Sequence, residues 1–233
     1  MVNKNRRQFL KDFSTGLLTL SVSPYIIGVN KQAHASSASS FNKHNFFNPS
    51  LIGWDDVSPL KESDVSGVLV PEGLKCTLIA KSGEKVYGDH VWHGSPDGAS
   101  VFPTKDNGWI YVSNSELGGS KGGAGAIKFN QNGQIEDSYS ILENSNRNCS
   151  GGSTPWGTWL SCEEHDKGIV WETSPFRDDN RFPKKRKILG AFRHEGAAVD
   201  PYNNYIYMTH DDMAGFFYRF IPGGEVYTDA FYD

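Results

Sequence analysis

The chain has 233 residues, a formal net charge of −4, 37% hydrophobic and 13% aromatic residues, 25 Gly and 11 Pro. This is globular composition with many turns, and one folded domain is expected at this length. The mild negative charge argues against a nucleic-acid partner. Phosphate neutralisation needs a basic face, and the one dense basic run is Lys184, Lys185, Arg186 and Lys187, which reads as a solvated loop.

In chain order, the first element is a leader. Asn5-Arg6-Arg7-Gln8-Phe9-Leu10-Lys11 is a twin-arginine pattern, followed by an apolar stretch from Phe13 to Val29 and a small-x-small site at Ala33-His34-Ala35. Pro24 breaks the apolar stretch, which falls short of the ~20 residues that a spanning helix needs. Residues 1–35 are therefore expected to be a removable signal peptide. That implies the twin-arginine translocation machinery as a partner, a periplasmic or secreted location and no stable membrane span after processing. The twin-arginine route exports proteins already folded, which suits a chain whose cofactor is loaded in the cytoplasm. A polar segment, 36–66, separates the leader from the folded part, 67–233.

Three cysteines, Cys76, Cys149 and Cys162, form an odd set in a compartment where paired thiols oxidise. At least one is free or bound to something. A Cys149–Cys162 disulfide with Cys76 left buried is the alternative reading.

Beyond the polar segment the chain repeats. Ile110-Tyr111-Val112-Ser113-Asn114-Ser115-Glu116 aligns without gaps with Thr158-Trp159-Leu160-Ser161-Cys162-Glu163-Glu164 and with Ile206-Tyr207-Met208-Thr209-His210-Asp211-Asp212, at a period of 48 residues. Each segment reads as an apolar and aromatic strand ending in acid, followed by a Gly-led second strand at Gly125, Gly168 or Gly215. A second landmark precedes each hairpin. Asp97-Gly98-Ala99 and Glu195-Gly196-Ala197 correspond, and Cys149-Ser150-Gly151 holds the equivalent place in the middle unit. The period lies between those of WD40 and kelch blades, so the predicted fold is all-β, a β-propeller. Blades are radial, so equivalent positions surround one central channel.

That geometry brings Asp97, Cys149 and Glu195 together with Glu116, Glu164 and Asp212. Acids and a thiolate at such a density cannot all stay ionised without cations. Carboxylates suit calcium, while a thiolate among carboxylates suits a transition metal such as iron, so a mixed cluster is expected. A repeated acid after a strand can also be a turn residue that caps backbone amides. His194 and His210 lie beside proposed ligands and read as supporting groups. Gly118-Gly119-Ser120-Lys121-Gly122-Gly123 lacks the Walker spacing and reads as a blade loop.

The segments Asp97 to Pro103, Arg147 to Glu164, His194 to Pro201 and Thr209 to Pro222, together with the leader, resemble the PhoX family of bacterial alkaline phosphatases. The run Asn148-Cys149-Ser150-Gly151-Gly152 followed by Thr154-Pro155-Trp156-Gly157-Thr158-Trp159-Leu160-Ser161-Cys162-Glu163-Glu164 carries most of the resemblance. The resemblance implies a six-bladed propeller holding two irons and several calciums, which hydrolyses small-molecule phosphate esters outside the cytoplasm. Carried over by position, Cys149 would be the thiolate shared by the irons, Glu164 and Glu195 iron-side carboxylates, and Glu116, Asp211 and Asp212 calcium-side groups. Asp97 and Glu163 complete the candidate metal set, and Cys149, Glu164 and Glu195 are the candidate catalytic residues. Phosphoester hydrolysis needs charge neutralisation and a hydroxide at neutral pH, both of which metals supply.

At 48 residues per blade the exported part makes about four blades of the six implied. The family's later blades, with a phosphate-facing arginine, are missing, so a truncated gene or fragment is expected; four blades that close by themselves are the other reading, and the shortened chain is expected to be inactive if it is truncated. Two other classes remain open, a calcium-dependent lactonase-like propeller and a non-catalytic secreted binding propeller. The first has no use for Cys149, and the second needs no iron.

Overall fold

The computed structural model describes residues 58–225; the expected signal peptide, and the polar segment as far as residue 57, lie outside them. The described part belongs to a compact unit spanning Leu60–Asp233. Among the described residues there is no α-helix, and the strand-rich reading of the sequence holds throughout.

Two short ribbons come first, β1 (Lys61–Glu62) with β2 (Leu69–Val70) and β3 (Lys85–Tyr87) with β4 (His90–Val91). A four-stranded antiparallel meander follows, made of β5 (Pro96–Pro103), β6 (Trp109–Ser115), β7 (Gly122–Phe129) and β8 (Ile135–Ser145). A second comprises β9 (Asn148–Ser153), β10 (Trp159–Glu163), β11 (Val170–Thr173) and β12 (Lys184–Lys185). After a single 3-10 turn at Lys187–Leu189, the third sheet holds β13 (His194–Val199), β14 (Ile206–His210) and β15 (Phe217–Phe220). The first strands of the three sheets lie together, with β9 packed against both β5 and β13, and each sheet runs outward from there. These are propeller blades.

Strand alternation explains why both faces of a blade are apolar. Side chains along a strand point to opposite faces. In β10, Trp159 packs forward into a cluster with Phe102, Ile110, Val112, Ala126 and Tyr139 of the first blade. Its neighbour Leu160, and then Cys162, turn the other way to meet Ala197, Ile206 and Met208 of the third. All five residues of β10 are buried, so the strand shows no polar-apolar alternation in its sequence.

Each inner hairpin turns at one equivalent residue in the left-handed region: Asn107 (φ 64°), Gly157 (φ 86°) and Asn204 (φ 59°). Asn and Gly are the residues that adopt this conformation at little cost. Where the inner strands meet, side chains are excluded. A Cβ on Gly152 would lie 1.8 Å from the carbonyl oxygen of Ala197, and one on Gly98 would lie 2.6 Å from the Cα of Ser150. Gly98 and Gly152 thus set the distance between neighbouring blades.

Candidate metal centre

Each inner strand is interrupted by a β-bulge at the same place. Pro96 pairs with Ser115 and Ala99 with Ser113, so Asp97 and Gly98 together oppose Asn114. Asn148 pairs with Glu163 and Gly151 with Ser161, so Cys149 and Ser150 oppose Cys162. His194 pairs with His210 and Ala197 with Met208, so Glu195 and Gly196 oppose Thr209. A bulge bends the strand and re-aims a side chain. Three consecutive blades use it to present Asp97, Cys149 and Glu195.

The residue after each second strand supplies the other half of the site. The backbone N–H of Glu116 donates to Ser95 O, that of Glu164 to Arg147 O and that of Asp211 to Arg193 O. The ladder therefore equates Glu116, Glu164 and Asp211, whereas the gap-free sequence repeat equates the first two with Asp212. The structural interval is 48 residues and then 47, because Ile206 rather than Tyr207 occupies the place of Trp159. Burial raises the Glu164 carboxyl, and Asp211 is accordingly the acid whose proximity raises it further. Asp212 instead caps its own turn, accepting from the N–H of Ala214 at 2.9 Å.

Two groups of potential ligand atoms result, each within 4.8 Å: Asp97, Glu116 and Cys149, and Cys149, Glu164 and Glu195. Cys149 belongs to both. Its Sγ lies 3.5 Å from each carboxylate oxygen of Glu195. Cys149 is buried, Glu116, Glu164 and Glu195 are half-buried, and Asp97 is exposed. Burial, a hydrogen bond with Glu164 and the charges of Glu195 and Asp97 push the Cys149 thiol well above the ordinary thiol range. Burial and the neighbouring Asp211 raise Glu164 as well. Glu195 is raised by burial and by Asp211, Asp97 and Glu116, against the hydrogen bond from Cys149. A protein that crowds one thiol and two carboxyls that resist ionisation, Glu164 and Glu195, has the donor chemistry of a cation site. The shared sulfur is a donor that suits iron, and the carboxylates are donors that suit calcium.

Glu163 stands outside both groups. Its Oε1 accepts from Asn146 N and Trp171 Nε1, each at 3.0 Å, and its Oε2 from Ile169 N at 3.2 Å. All three cysteines are free, and Cys76 is half-buried rather than enclosed.

Beside Glu164 opens a cleft of about 550 Å³ lined also by Arg147, His165, Asp166, Lys167 and Arg193. Arg193 Nε donates to Asp166 at 2.7 Å. Arg147 and Arg193 each lie two residues before a bulge residue, Cys149 and Glu195, as Ser95 does before Asp97. That repeated spacing was available in the sequence as a sign that both arginines border the site.

Antiparallel blades with thiol and carboxylate donors gathered where their inner strands meet define a β-propeller with a candidate cation site. The alkaline phosphatase PhoX family model matches residues 113–170 and 165–230, over half of the chain. The chain belongs to this family. A solved structure, described as Pseudomonas fluorescens PhoX in complex with vanadate, a transition state analogue, is similar with a TM-score of 0.49 and 19% identity. The similarity covers 64% of this chain and 46% of that one, so the chain spans less than half of the length of that relative. No curated protein matches.

Proposed function

We propose that this chain carries the metal-holding blades of an exported phosphatase that hydrolyses phosphate monoesters. What supports this reading most directly is the shared sulfur: Cys149 joins two donor groups contributed by consecutive blades. Iron would be held by Cys149, Glu164 and Glu195, and calcium by Asp97 and Glu116, with Asp211 beside Glu164 as a further acid; Asp212 and Glu163 would act from outside as supports. When bound, such ions neutralise phosphate charge and lower the pKa of a water to the neutral range.

The protein's own groups prepare the site for that chemistry. The thiol of Cys149 and the carboxyls of Glu164 and Glu195 give up protons as cations enter; the bulges hold Cys149 and Glu195, and the backbone bond from Glu164 N to Arg147 O fixes Glu164 beside them. Arg147, Lys167 and Arg193 give the adjoining cleft a cationic wall suited to the phosphate dianion. Arg193 holds Asp166 through Nε, and its guanidinium has further N–H donors for a substrate. Twin-arginine export and a periplasmic or secreted location belong to the same proposal and rest on the leader.

The test is to strip the purified protein with chelators, reload it with ferric iron and calcium, and assay a chromogenic phosphomonoester beside a chromogenic lactone. Ester hydrolysis that needs both metals is expected. Turnover that survives removal of both, or hydrolysis of the lactone alone, overturns the proposal.

A further inference from the structure

A β-bulge leaves peptide groups without partners in their own ladder, so the backbone that aims Cys149 needs donors from elsewhere. They come from the preceding blade. Asn114, fully buried near the end of β6, directs Nδ2 at the carbonyl oxygens of both bulge residues, Cys149 at 3.0 Å and Ser150 at 2.7 Å. Its Oδ1 accepts from Trp159 Nε1 at 2.9 Å and from Ser161 Oγ at 2.8 Å. A carboxamide has two N–H donors and two acceptor lone pairs, and here all four are used. The amide plane is thereby fixed at both ends.

The position matters as much as the bonds. Asn114 sits opposite the Asp97 bulge and two residues before Glu116, so one side chain ties the Asp97 and Glu116 strands to the strand that carries Cys149. The other blades do not repeat the device. At the equivalent place Cys162 lies in an apolar cluster, and Thr209 Oγ1 accepts from Gly196 N of its own blade at 3.0 Å. The link is therefore specific to the bulge that bears the shared sulfur.

We infer that Asn114 is the positioning residue of the metal centre: its two donated hydrogen bonds hold the Cys149 bulge so that one sulfur serves both donor groups. This rests on the phosphatase reading only in needing a metal at Cys149. Supporting partners of metal ligands typically govern affinity by 10–100-fold.

The experiment compares the full chain with Asn114→Ala, Asn114→Asp and Trp159→Phe. Trp159→Phe removes one bond to Oδ1 and leaves both bonds to the Cys149 strand. Ferric iron is titrated into each metal-free protein, and the thiolate-to-iron charge-transfer absorption is recorded with the melting temperature. Both Asn114 variants are expected to fold, to bind iron at least tenfold more weakly and to shift or lose the absorption; Trp159→Phe is expected to stay within about threefold of the wild type with its absorption in place. Asn114 variants that match the wild type overturn the inference. So do equal losses in Trp159→Phe, or a failure of both Asn114 variants to fold, since either makes the role one of general stability. A wild-type protein that binds iron without thiolate absorption, or binds none, overturns the assignment of the metal to Cys149 and the inference with it.

Discussion

Strand geometry gives the three thiols three different chemistries. Cys149 lies on a bulge among acids, Cys162 faces away into a cluster with Leu160, Val170 and Ile206, and Cys76 is half-buried and apart from both. Because all three are free, the two central cysteines should respond differently to the same change. Cys149→Ser replaces a thiolate donor with a hydroxyl that resists ionisation, so iron binding should be lost while the fold survives. Cys162→Ser buries an unpartnered hydroxyl in apolar surroundings, so it should destabilise by about 1–3 kcal/mol and keep its iron. Metal analysis and thermal melts of both variants check this, and equal destabilisation with intact iron in both would point to a disulfide instead. Glu163 belongs on the stability side of the same division. Glu163→Gln turns an amide donor toward the N–H groups it now accepts from, at a cost of about 1–3 kcal/mol, with iron content unchanged by metal analysis. Cys149 could be read from the sequence because it replaces an acid at a repeated position. Asn114 could not, because a buried carboxamide that grips a neighbouring blade has the same local signature as an ordinary polar residue at a strand end.

At the level of strands, the repeat disclosed which residues precede and follow each hairpin; Asp97 lies with Glu116 and Cys149 with Glu164, whereas Asp212 belongs to neither group. The repeat could not disclose the bulges. A bulge is a count of two residues against one on a partner strand, and that count exists only once the strands pair. The same limit explains the one-residue slip from Asp212 to Asp211: apolar periodicity fixes which face a strand buries, whereas the end of the ladder is fixed by hydrogen bonds such as Asp211 N to Arg193 O. Contact between inner strands yields a direct test. Gly152→Ala would place a Cβ 1.8 Å from the backbone oxygen of Ala197, which cannot rotate away, whereas a Cβ on Gly196 would meet only Thr209 Oγ1 at 3.4 Å. Gly152→Ala should therefore cost about 1–3 kcal/mol or more by forcing β9 and β13 apart, and it should weaken metal binding by separating Cys149 from Glu195. Gly196→Ala should melt within a few degrees of the wild type. Denaturant unfolding of the two variants decides it, and equal stabilities would mean that the blades do not approach as closely as described.

Across the molecule, buried ionisable groups of opposite kinds make stability depend on pH in opposite directions. His93 and His194 are both lowered to about 4, chiefly by burial, from an ordinary 6.5. Below 6.5 the unfolded chain takes up protons that the folded chain refuses, so this contribution is complete above pH 6.5 and is lost as the pH falls toward 4. Glu164 and Glu195 act in the opposite sense. Their folded pKa values are raised above the ordinary 4.5, so the metal-free protein holds their protons longer than the unfolded chain does. Their contribution is present below 4.5 and is lost as the pH rises through their raised values, and the Cys149 thiol, raised above 9.0, extends the loss into alkaline solution. A bound cation reverses only this second set, because it binds the ionised forms. His93, hydrogen-bonded to Ser113 at 3.3 Å, supplies no atom to either donor group, so it affects metal-free and metal-bound protein alike and drops out of their difference. The increase in melting temperature produced by saturating calcium should therefore be small near pH 5 and grow steadily toward pH 9. In protein stripped of iron the Glu164 and Glu195 carboxylates accept calcium as well, and calcium is the better probe across this range because ferric iron hydrolyses in alkaline solution. At a hundredfold excess over its dissociation constant a ligand stabilises by about 2.7 kcal/mol, and each proton it must displace changes that constant by up to about tenfold per pH unit below the group's pKa. Thermal melts with calcium or with chelator at several pH values measure the difference directly. A calcium-induced gain that stays flat or shrinks as the pH rises would mean that the raised acids around Cys149 do not form the cation site.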